Sequence, residues 1–192
     1  MGTTQPIRDS RQLSQFINYY AIAQPNQRNY TLIVMGLHTA LRISDILALR
    51  WENVFDFKNA KCRTHLQVIE HKTGKTSKIA LCPETQKALS DFYIMKKPKP
   101  ENYIFSAKIH QKKPLSRSQA YRLVREAAEN TIHEEHISCH SLRKTFGYHA
   151  WKQGVPPALL MDIYNHSSYE ITKRYLGITQ DERDDIFLSV HL

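Results

Sequence analysis

The sequence His140-Ser141-Leu142-Arg143 places an imidazole and a guanidinium three positions apart. Residues three apart on a helix lie on one face, about one turn from each other. An arginine side chain suits bidentate recognition of a phosphate, and a histidine can exchange a proton near neutral pH. We therefore expect a helix face that presents His140 and Arg143 to one phosphate group.

Four residues outside this stretch extend the pattern in both directions. Arg42 comes at the end of an apolar run typical of a buried helix, and Lys72 lies in a turn between two predicted strands. Downstream come His166 and, nine residues later, Tyr175. The order along the chain is therefore Arg, Lys, His-x-x-Arg, His and Tyr. Each group alone is weak evidence, but six in one order form a strong signal.

This order resembles that of the tyrosine recombinases, the phage integrase family. The resemblance extends from about Asp9 to the C-terminus. It implies the fold of that family's catalytic domain, an α+β domain that is mainly helical with a small antiparallel β-sheet. It also implies a site-specific DNA recombinase or integrase that cuts and rejoins DNA through a covalent 3′-phosphotyrosine intermediate.

The resemblance also implies a role for each group of the pattern. Arg42 and Arg143 match the two arginines that clamp the phosphate. Lys72 matches the hairpin lysine that acts as general acid on the leaving oxygen. His140 matches the histidine that shuttles protons beside the second arginine, and His166 matches the histidine that hydrogen-bonds the phosphate.

Two further positions follow from the same resemblance. Tyr175 matches the nucleophile, and Asp45 matches a position, usually acidic, that supports the site. The chain departs from the family where Tyr164-Asn165-His166 stands in place of the usual Leu-Gly-His. Asparagine tolerates the left-handed conformation that glycine supplies, so we expect this turn to be kept.

The implied reaction needs the residue types that the chain supplies. A phenol can attack phosphorus, and two arginines can stabilise the charge that builds up on the non-bridging oxygens. Acid and base groups can serve the leaving oxygen and the tyrosine. Because the phosphotyrosine keeps the phosphodiester energy, we expect no ATP, metal ion or other cofactor.

A cluster of potential ligands before Ser141 raises the alternative of a metal site. It contains His133, His136, Cys139 and His140. The first two are three positions apart, whereas the H-E-x-x-H zinc motif needs histidines four apart. We therefore expect no metal there.

The composition favours a nucleic-acid partner. The chain has 192 residues and a formal charge of +9, which suits a polyanion such as double-stranded DNA. Its three cysteines lack C-x-x-C spacing, so we expect reduced thiols and a cytoplasmic protein. We found no apolar run long enough to span a membrane and no signal peptide, so we expect no membrane partner.

Basic residues around the pattern are candidates for contacts with the DNA backbone. A basic loop at 108–114 leads into a helix with several arginines, although a merely solvated face would give the same pattern. The predicted DNA contacts are Lys75, Lys112, Lys113, Arg117, Arg122 and Lys144.

Periodicity and capping residues predict mainly helices. One antiparallel hairpin is expected between 64 and 81 and one short buried strand at 103–105. In the helix that begins at Pro83, we expect Ala88, Leu89, Phe92 and Met95 on the inner face. The predicted helices span about 10–23, 29–41, 45–49 with Ser44 as its cap, 83–97, 116–129, 141–153, 157–163, a short one around 171–175, and 181–190.

The domain organisation is expected to be a single catalytic domain over 1–192, without the N-terminal core-binding domain usual in the family. Residues 1–6 precede the first predicted helix and are expected to be disordered or foreign to the natural chain. Two explanations stay open: a catalytic domain separated from a longer protein, or a naturally short member, like the single-domain recombinases that invert fimbrial promoter segments.

The assembly is expected to be a tetrameric synapse on DNA and a monomer when free. The apolar helix at 181–190 is expected to dock on a neighbouring protomer in that synapse, with permanent docking in its own chain as the alternative. Two other functions also remain as alternatives, a non-catalytic DNA-binding regulator with the same fold and a type IB topoisomerase-like enzyme.

Overall fold

The computed structural model describes residues 4–72, 74–107, 113–132, 136–177 and 187–189. Most of these residues are helical, as the sequence predicts. The α-helices are α1 Ser10–Asn18, α2 Gln27–His38, α3 Ile43–Ala48, α4 Trp51–Val54, α5 Pro83–Lys96, α6 Arg117–Thr131, α7 Cys139–Lys152, α8 Pro157–Tyr164 and α9 Tyr169–Leu176.

Two small antiparallel sheets accompany the helices. Strand β1 (Phe55–Asp56) pairs with β2 (Lys61–Cys62), and β3 (His65–Ile69) pairs with β4 (Thr76–Ala80). The second pair is the predicted hairpin, and its turn carries Lys72. The α+β class, mainly helical with a small antiparallel β-component, is confirmed.

Helix α2 runs through the centre of the molecule. Its residues from 31 to 37 are all buried, and the helix packs against α5 and α7. This agrees with its nearly continuous apolar sequence, because a helix that is apolar all round has no face for solvent. Trp51 and Phe92 centre the hydrophobic cluster on one side of α2, and Phe16 and Val124 belong to the cluster on the other.

A third, smaller cluster lies under the candidate site. It joins Ala40, Leu160, Tyr164 and Leu176, with Tyr175 packed against it. Helices α8 and α9 are therefore anchored to the loop that follows α2. This anchoring brings the C-terminal part of the sequence pattern next to its first member.

The first predicted helix is correct at its start and different at its end. Asp9 caps it, with Oδ1 accepting a hydrogen bond from the Gln12 amide at 2.8 Å. The α-helix ends at Asn18, and Tyr19–Ala23 forms a π-helical segment before Pro25. Apolar spacing could not separate these two kinds of turn, because both tyrosines at the junction are buried.

The helix after Arg42 begins earlier than predicted. Arg42 itself is the N-cap, with φ −72° and ψ 147°, so the prediction of Ser44 as the cap was wrong. Ser44 lies inside the first turn instead. The chain reverses just before, at Ala40, whose φ is 54°.

Three other predictions need correction or fall outside the described residues. The strand at 103–105 was wrong: Ile104 and Phe105 are buried, but Tyr103 makes only an isolated bridge to Arg50. Met95 is 57% exposed rather than on the inner face of α5. Of the predicted helix at 181–190, only residues 187–189 are described, and they are helical.

Candidate active site

A basic cleft of about 760 Å³ brings together four of the six residues of the pattern. Arg42, Lys72, His140 and Arg143 line it. They come from the start of α3, the hairpin turn and the first turns of α7. Helix α7 begins at Cys139, two residues earlier than predicted, so that Ser138 caps it and His140 lies in its first turn.

The hairpin turn is held against the start of α3. The Asp45 carboxylate is buried, and its Oδ1 accepts a hydrogen bond from the His71 amide at 3.1 Å. The Arg42 guanidinium makes an ion pair with the buried carboxylate of Glu70. These two contacts fix the turn that carries Lys72 relative to Arg42. The supporting role of Asp45 in the site stays a prediction, and this contact is consistent with it.

Arg143 is almost completely buried, and backbone carbonyls hold its guanidinium. Nη1 donates to the Ala40 carbonyl, and Nη2 donates to the Tyr164 carbonyl at 3.1 Å. The guanidinium carbon lies 4.7 Å from the centroid of the Tyr164 ring, a cation–π distance. These contacts restrict the orientation of the guanidinium, and Arg143 also lines the cleft.

Tyr175 lies among three aromatic rings. Its ring centroid is 5.0 Å from that of His140, 4.9 Å from that of His166 and 4.9 Å from that of Tyr164. Its hydroxyl oxygen is buried and makes no hydrogen bond of normal geometry within the described ranges. Burial raises the pKa of Tyr175 to about 12, and the Arg143 charge partly opposes this shift.

The two histidines of the pattern are both biased toward their neutral forms. The pKa of His140 is lowered to about 4, mainly by loss of solvent and, to a smaller extent, by the positive charges of Lys144 and Arg143. Loss of solvent is also the main cause that lowers the pKa of His166. His166 is fixed by a 3.1 Å hydrogen bond between its Nδ1 and Thr172 Oγ1, and its ring stacks on Tyr164. A neutral imidazole can accept a proton.

The turn before His166 has the predicted conformation. Asn165 has φ 54° and ψ 46°, the left-handed region where glycine is usual. Its side-chain oxygen accepts a hydrogen bond from Lys75 Nζ at 2.5 Å. The hairpin is thereby joined to the end of α8.

The predicted DNA contacts occupy different environments. Arg117 lines the cleft, together with Arg125 of the same helix. Lys113 and Arg122 are exposed outside the cleft lining. Lys112 lies outside the described residues.

Lys144, another of the predicted DNA contacts, lies in a largely buried environment. It is 9% exposed, and its ammonium donates to the Thr4 carbonyl at 2.7 Å. The same ammonium lies 5.5 Å from the centroid of the Tyr175 ring. Lys144 follows His140 by one helical turn, which places it beside the site rather than on the outer face.

Glu70 and Tyr164 contact residues of the pattern but were not predicted from the sequence. Glu70 is two residues before Lys72, and Tyr164 is two before His166. Their proximity in sequence was the available signal. Their partners, Arg42 and Arg143, are 28 and 21 residues away, so only the folded chain shows the contacts.

Among the described residues, no group of three or more His, Cys, Asp or Glu side chains is arranged to hold a metal ion. His133, which belongs to the metal alternative, lies outside them. No helix in the described ranges is both long and apolar enough to cross a membrane.

Comparison with protein families gives a match over most of the chain. Residues 8–182 match the model described as the phage integrase family. A probable integrase/recombinase of Bacillus subtilis, YoeC, is 39% identical over 181 residues, covering 94% of this chain and 93% of the relative. A tyrosine recombinase of Pseudothermotoga lettingae is 28% identical over 163 residues, which cover 83% of this chain and 53% of the relative.

Solved structures show the same fold at low sequence identity. The XerA recombinase superposes with a TM-score of 0.77 at 16% identity, covering 99% of this chain and 68% of that one. The Tn1549 transposon integrase, in complex with a circular intermediate DNA, gives a TM-score of 0.71 at 22% identity, covering 99% of this chain and 67% of that one.

Proposed function

The chain belongs to the phage integrase family and is a tyrosine-type site-specific DNA recombinase, and from this we propose that Tyr175 is its nucleophile. One observation carries this assignment. The Tyr175 ring contacts both His140 and His166, and the charge of Arg143 acts on its hydroxyl. Tyr164 also lies beside His166 and Arg143, but its hydroxyl donates to the Arg143 carbonyl at 2.8 Å.

The two arginines bind the phosphate that is cut. Arg42 and Arg143 line the same cleft from different elements. As a tyrosine oxygen attacks phosphorus, negative charge builds up on the non-bridging oxygens, and fixed positive donors stabilise it. His166 supplies a further hydrogen bond to the phosphate.

Protons move in opposite directions during the step. The Tyr175 hydroxyl is protonated at neutral pH because its pKa is about 12. The neutral ring of His140 takes the proton as the Tyr175 oxygen bonds to phosphorus. The bond between phosphorus and the 5′-oxygen breaks, and the Lys72 ammonium gives that oxygen a proton. Rejoining is the reverse: a 5′-hydroxyl attacks the phosphotyrosine and Tyr175 leaves.

The buried position of the nucleophile implies a movement on DNA. The Tyr175 hydroxyl is inaccessible in the free protein, with the Lys144 ammonium over its ring. A phosphate that binds in the cleft competes with the Tyr175 ring for the Lys144 ammonium. The C-terminal end of α9 must then shift so that the Tyr175 oxygen reaches phosphorus.

The partner is DNA, and the assembly on it is a tetrameric synapse. Both large side chains in the described C-terminal turn, Phe187 and Leu188, are 80% and 79% exposed. Apolar side chains exposed in a row favour a protein contact. We therefore place the contact between protomers at 181–190 and expect a monomer when the protein is free of DNA.

A nicked substrate that traps the covalent intermediate tests the proposal. A binding site is first selected from a random-sequence duplex library. A nick close to the cleavage point then lets the short 5′-hydroxyl strand diffuse away. We expect a covalent protein–DNA adduct that forms in excess EDTA, because the arginines and Lys72 supply the positive charge. Adduct without strand exchange would indicate a topoisomerase-like activity, and binding without adduct would contradict the proposal.

A further inference from the structure

Glu70 is a buried acid at the point where the hairpin turn begins. The residue is 3% exposed. Its carbonyl accepts from the Gly74 amide at 2.8 Å, and its amide donates to the Lys75 carbonyl at 2.9 Å. These bonds close the turn around Lys72. Glu70 therefore sits inside the catalytic region without lining the cleft.

The two carboxylate oxygens of Glu70 have different partners. One oxygen pairs with Arg42 Nη1, and the other accepts a hydrogen bond from Ser77 Oγ at 2.9 Å. Ser77 belongs to β4, so the carboxylate is held by the hairpin and presented to Arg42. A buried charge is costly to leave without its partner, so this pair resists separation.

The pair leaves most of the Arg42 guanidinium available. Only Nη1 of Arg42 is hydrogen-bonded within the described residues, and the Arg42 side chain is 21% exposed. The guanidinium is planar, so a bond to Nη1 fixes the directions of its other donors. Arg42 also lines the cleft, so its remaining donors are available to a phosphate that binds there.

We infer that Glu70 is a positioning residue that orients Arg42 toward the phosphate that is cut. The inference rests on the proposed role of Arg42. Glu70 touches no substrate atom and exchanges no proton. Its effect is to hold Arg42 in the orientation that the transition state requires. Among the described residues, no other carboxylate makes an ion pair with Arg42.

A rival explanation is that Glu70 acts on Lys72, since it closes the same turn. Substrates with a modified phosphate at the cleavage point distinguish an effect through Arg42 from an effect through Lys72. A methylphosphonate link lacks one charged non-bridging oxygen, so cleavage depends less on an arginine. A link with sulfur at the bridging 5′ position has a leaving group that needs no general acid. The first modification should rescue defects in Arg42, and the second should rescue defects in Lys72.

The test compares four variants of the full chain on nicked substrates with the three links. They are Glu70→Ala, Glu70→Gln, Arg42→Ala and Lys72→Ala, with Gln67→Ala as a control on an exposed site of the same hairpin. On the natural phosphate, we expect Glu70→Ala to slow adduct formation by about 100-fold, as misplacement of a catalytic group does. The rate of adduct formation by Glu70→Gln should lie between the rates of Glu70→Ala and the wild type, because glutamine keeps the shape of the side chain and one hydrogen bond.

The expected signature is recovery on one substrate only. Glu70→Ala and Glu70→Gln should approach the wild-type rate on the methylphosphonate, as Arg42→Ala does, and stay slow on the sulfur substrate. Recovery on the sulfur substrate alone would show action through Lys72 and overturn the inference. The inference would also be overturned if the Glu70 variants cleaved the natural phosphate at the wild-type rate, or if they stayed slow on all three links.

Two further readings keep the test decisive. If Glu70→Ala does not fold, Glu70→Gln is judged by the same criteria. If Arg42→Ala and Lys72→Ala both cleave natural phosphate like wild type, the proposed function has failed, whatever Glu70 does.

Discussion

His140 is the residue whose protonation state most directly connects the structure to the reaction. Desolvation and the nearby Lys144, Arg143 and Arg42 charges keep its ring neutral at neutral pH in the free protein. The ring can therefore accept the Tyr175 proton. It loses this ability only as the pH falls through the lowered pKa of about 4. A phosphate in the cleft brings negative charge and should raise that pKa.

This leads to a prediction for the free protein. The ring resonances of His140 in NMR spectra should titrate near pH 4, and the Lys144→Gln variant should titrate at higher pH because one repelling charge is gone. Titration of His140 at the ordinary histidine value, with no response to Lys144→Gln, would contradict the electrostatic account.

The sequence predicted the residues that we propose to act on the substrate, but not the residues that hold them in place. The order of charged and aromatic types identified Arg42, His140 and Arg143, which the fold brings to one cleft. Glu70 and Tyr164 were missed because each acts through a contact between distant segments. Side-chain type alone does not specify such a contact.

At the scale of elements, α7 depends on a glycine. A Cβ at Gly147 would overlap the Tyr164 hydroxyl and the Leu176 side chain, both of which are buried. The Tyr164 hydroxyl donates to the Arg143 carbonyl at 2.8 Å, so it cannot move freely. Close packing of α7, α8 and α9 beneath the site therefore requires glycine at this position.

We predict that Gly147→Ala destabilises the protein by about 1–3 kcal/mol, the usual cost of overpacking. An unhindered glycine inside a helix would instead gain about 1 kcal/mol from the same change. Gly36→Ala in α2 is the matched comparison, because its added Cβ meets one buried side chain, that of Leu142, rather than two. Urea unfolding should rank Gly147→Ala as the less stable variant. Equal or higher stability than wild type would rule out the predicted overlap.

Two arginines of helix α6, both predicted to contact DNA, differ in their position relative to the cleft. Arg117 lines the cleft, while Arg122 is exposed and is not among the lining residues. We predict that Arg117→Ala weakens half-site binding and reduces the slope of log affinity against log salt by about 0.9, the contribution of one phosphate. Arg122→Ala should change both less. Fluorescence anisotropy across a salt series measures them, and a larger effect of Arg122→Ala would reverse the assignment.

Predictions of whole elements succeeded where periodicity is strong and failed where local choices compete. The hairpin, α2 and α6 follow from alternation, apolar spacing and the Ser116 cap. The π-helical turn at Tyr19–Ala23 and the non-strand at 103–105 did not follow. Each contains buried apolar or aromatic residues, and neighbouring elements decide its hydrogen bonding.

At the scale of the whole molecule, the C-terminal turn carries the two most exposed of the large apolar side chains among the described residues. Phe187 and Leu188 are largely exposed. We predict that a chain without residues 181–192 folds and binds a half-site but does not assemble a synapse or recombine. Native gel electrophoresis and strand-exchange assays on the truncated chain measure these properties. Recombination at the full rate would remove any role in assembly, and failure to fold would place the segment in the chain's own core.

The central claim is that strand cleavage occurs in this cleft through Tyr175. The most direct measurement is mass spectrometry of the trapped adduct after nuclease digestion, made on the wild type and on Tyr175→Phe. We predict that the wild-type peptide containing Tyr175 carries a nucleotide joined to it through the nucleotide's 3′-phosphate. Tyr175→Phe should form no adduct while binding DNA nearly as well, because only the phenolic oxygen is lost. A nucleotide on any other residue, or an undiminished adduct with Tyr175→Phe, would contradict the claim.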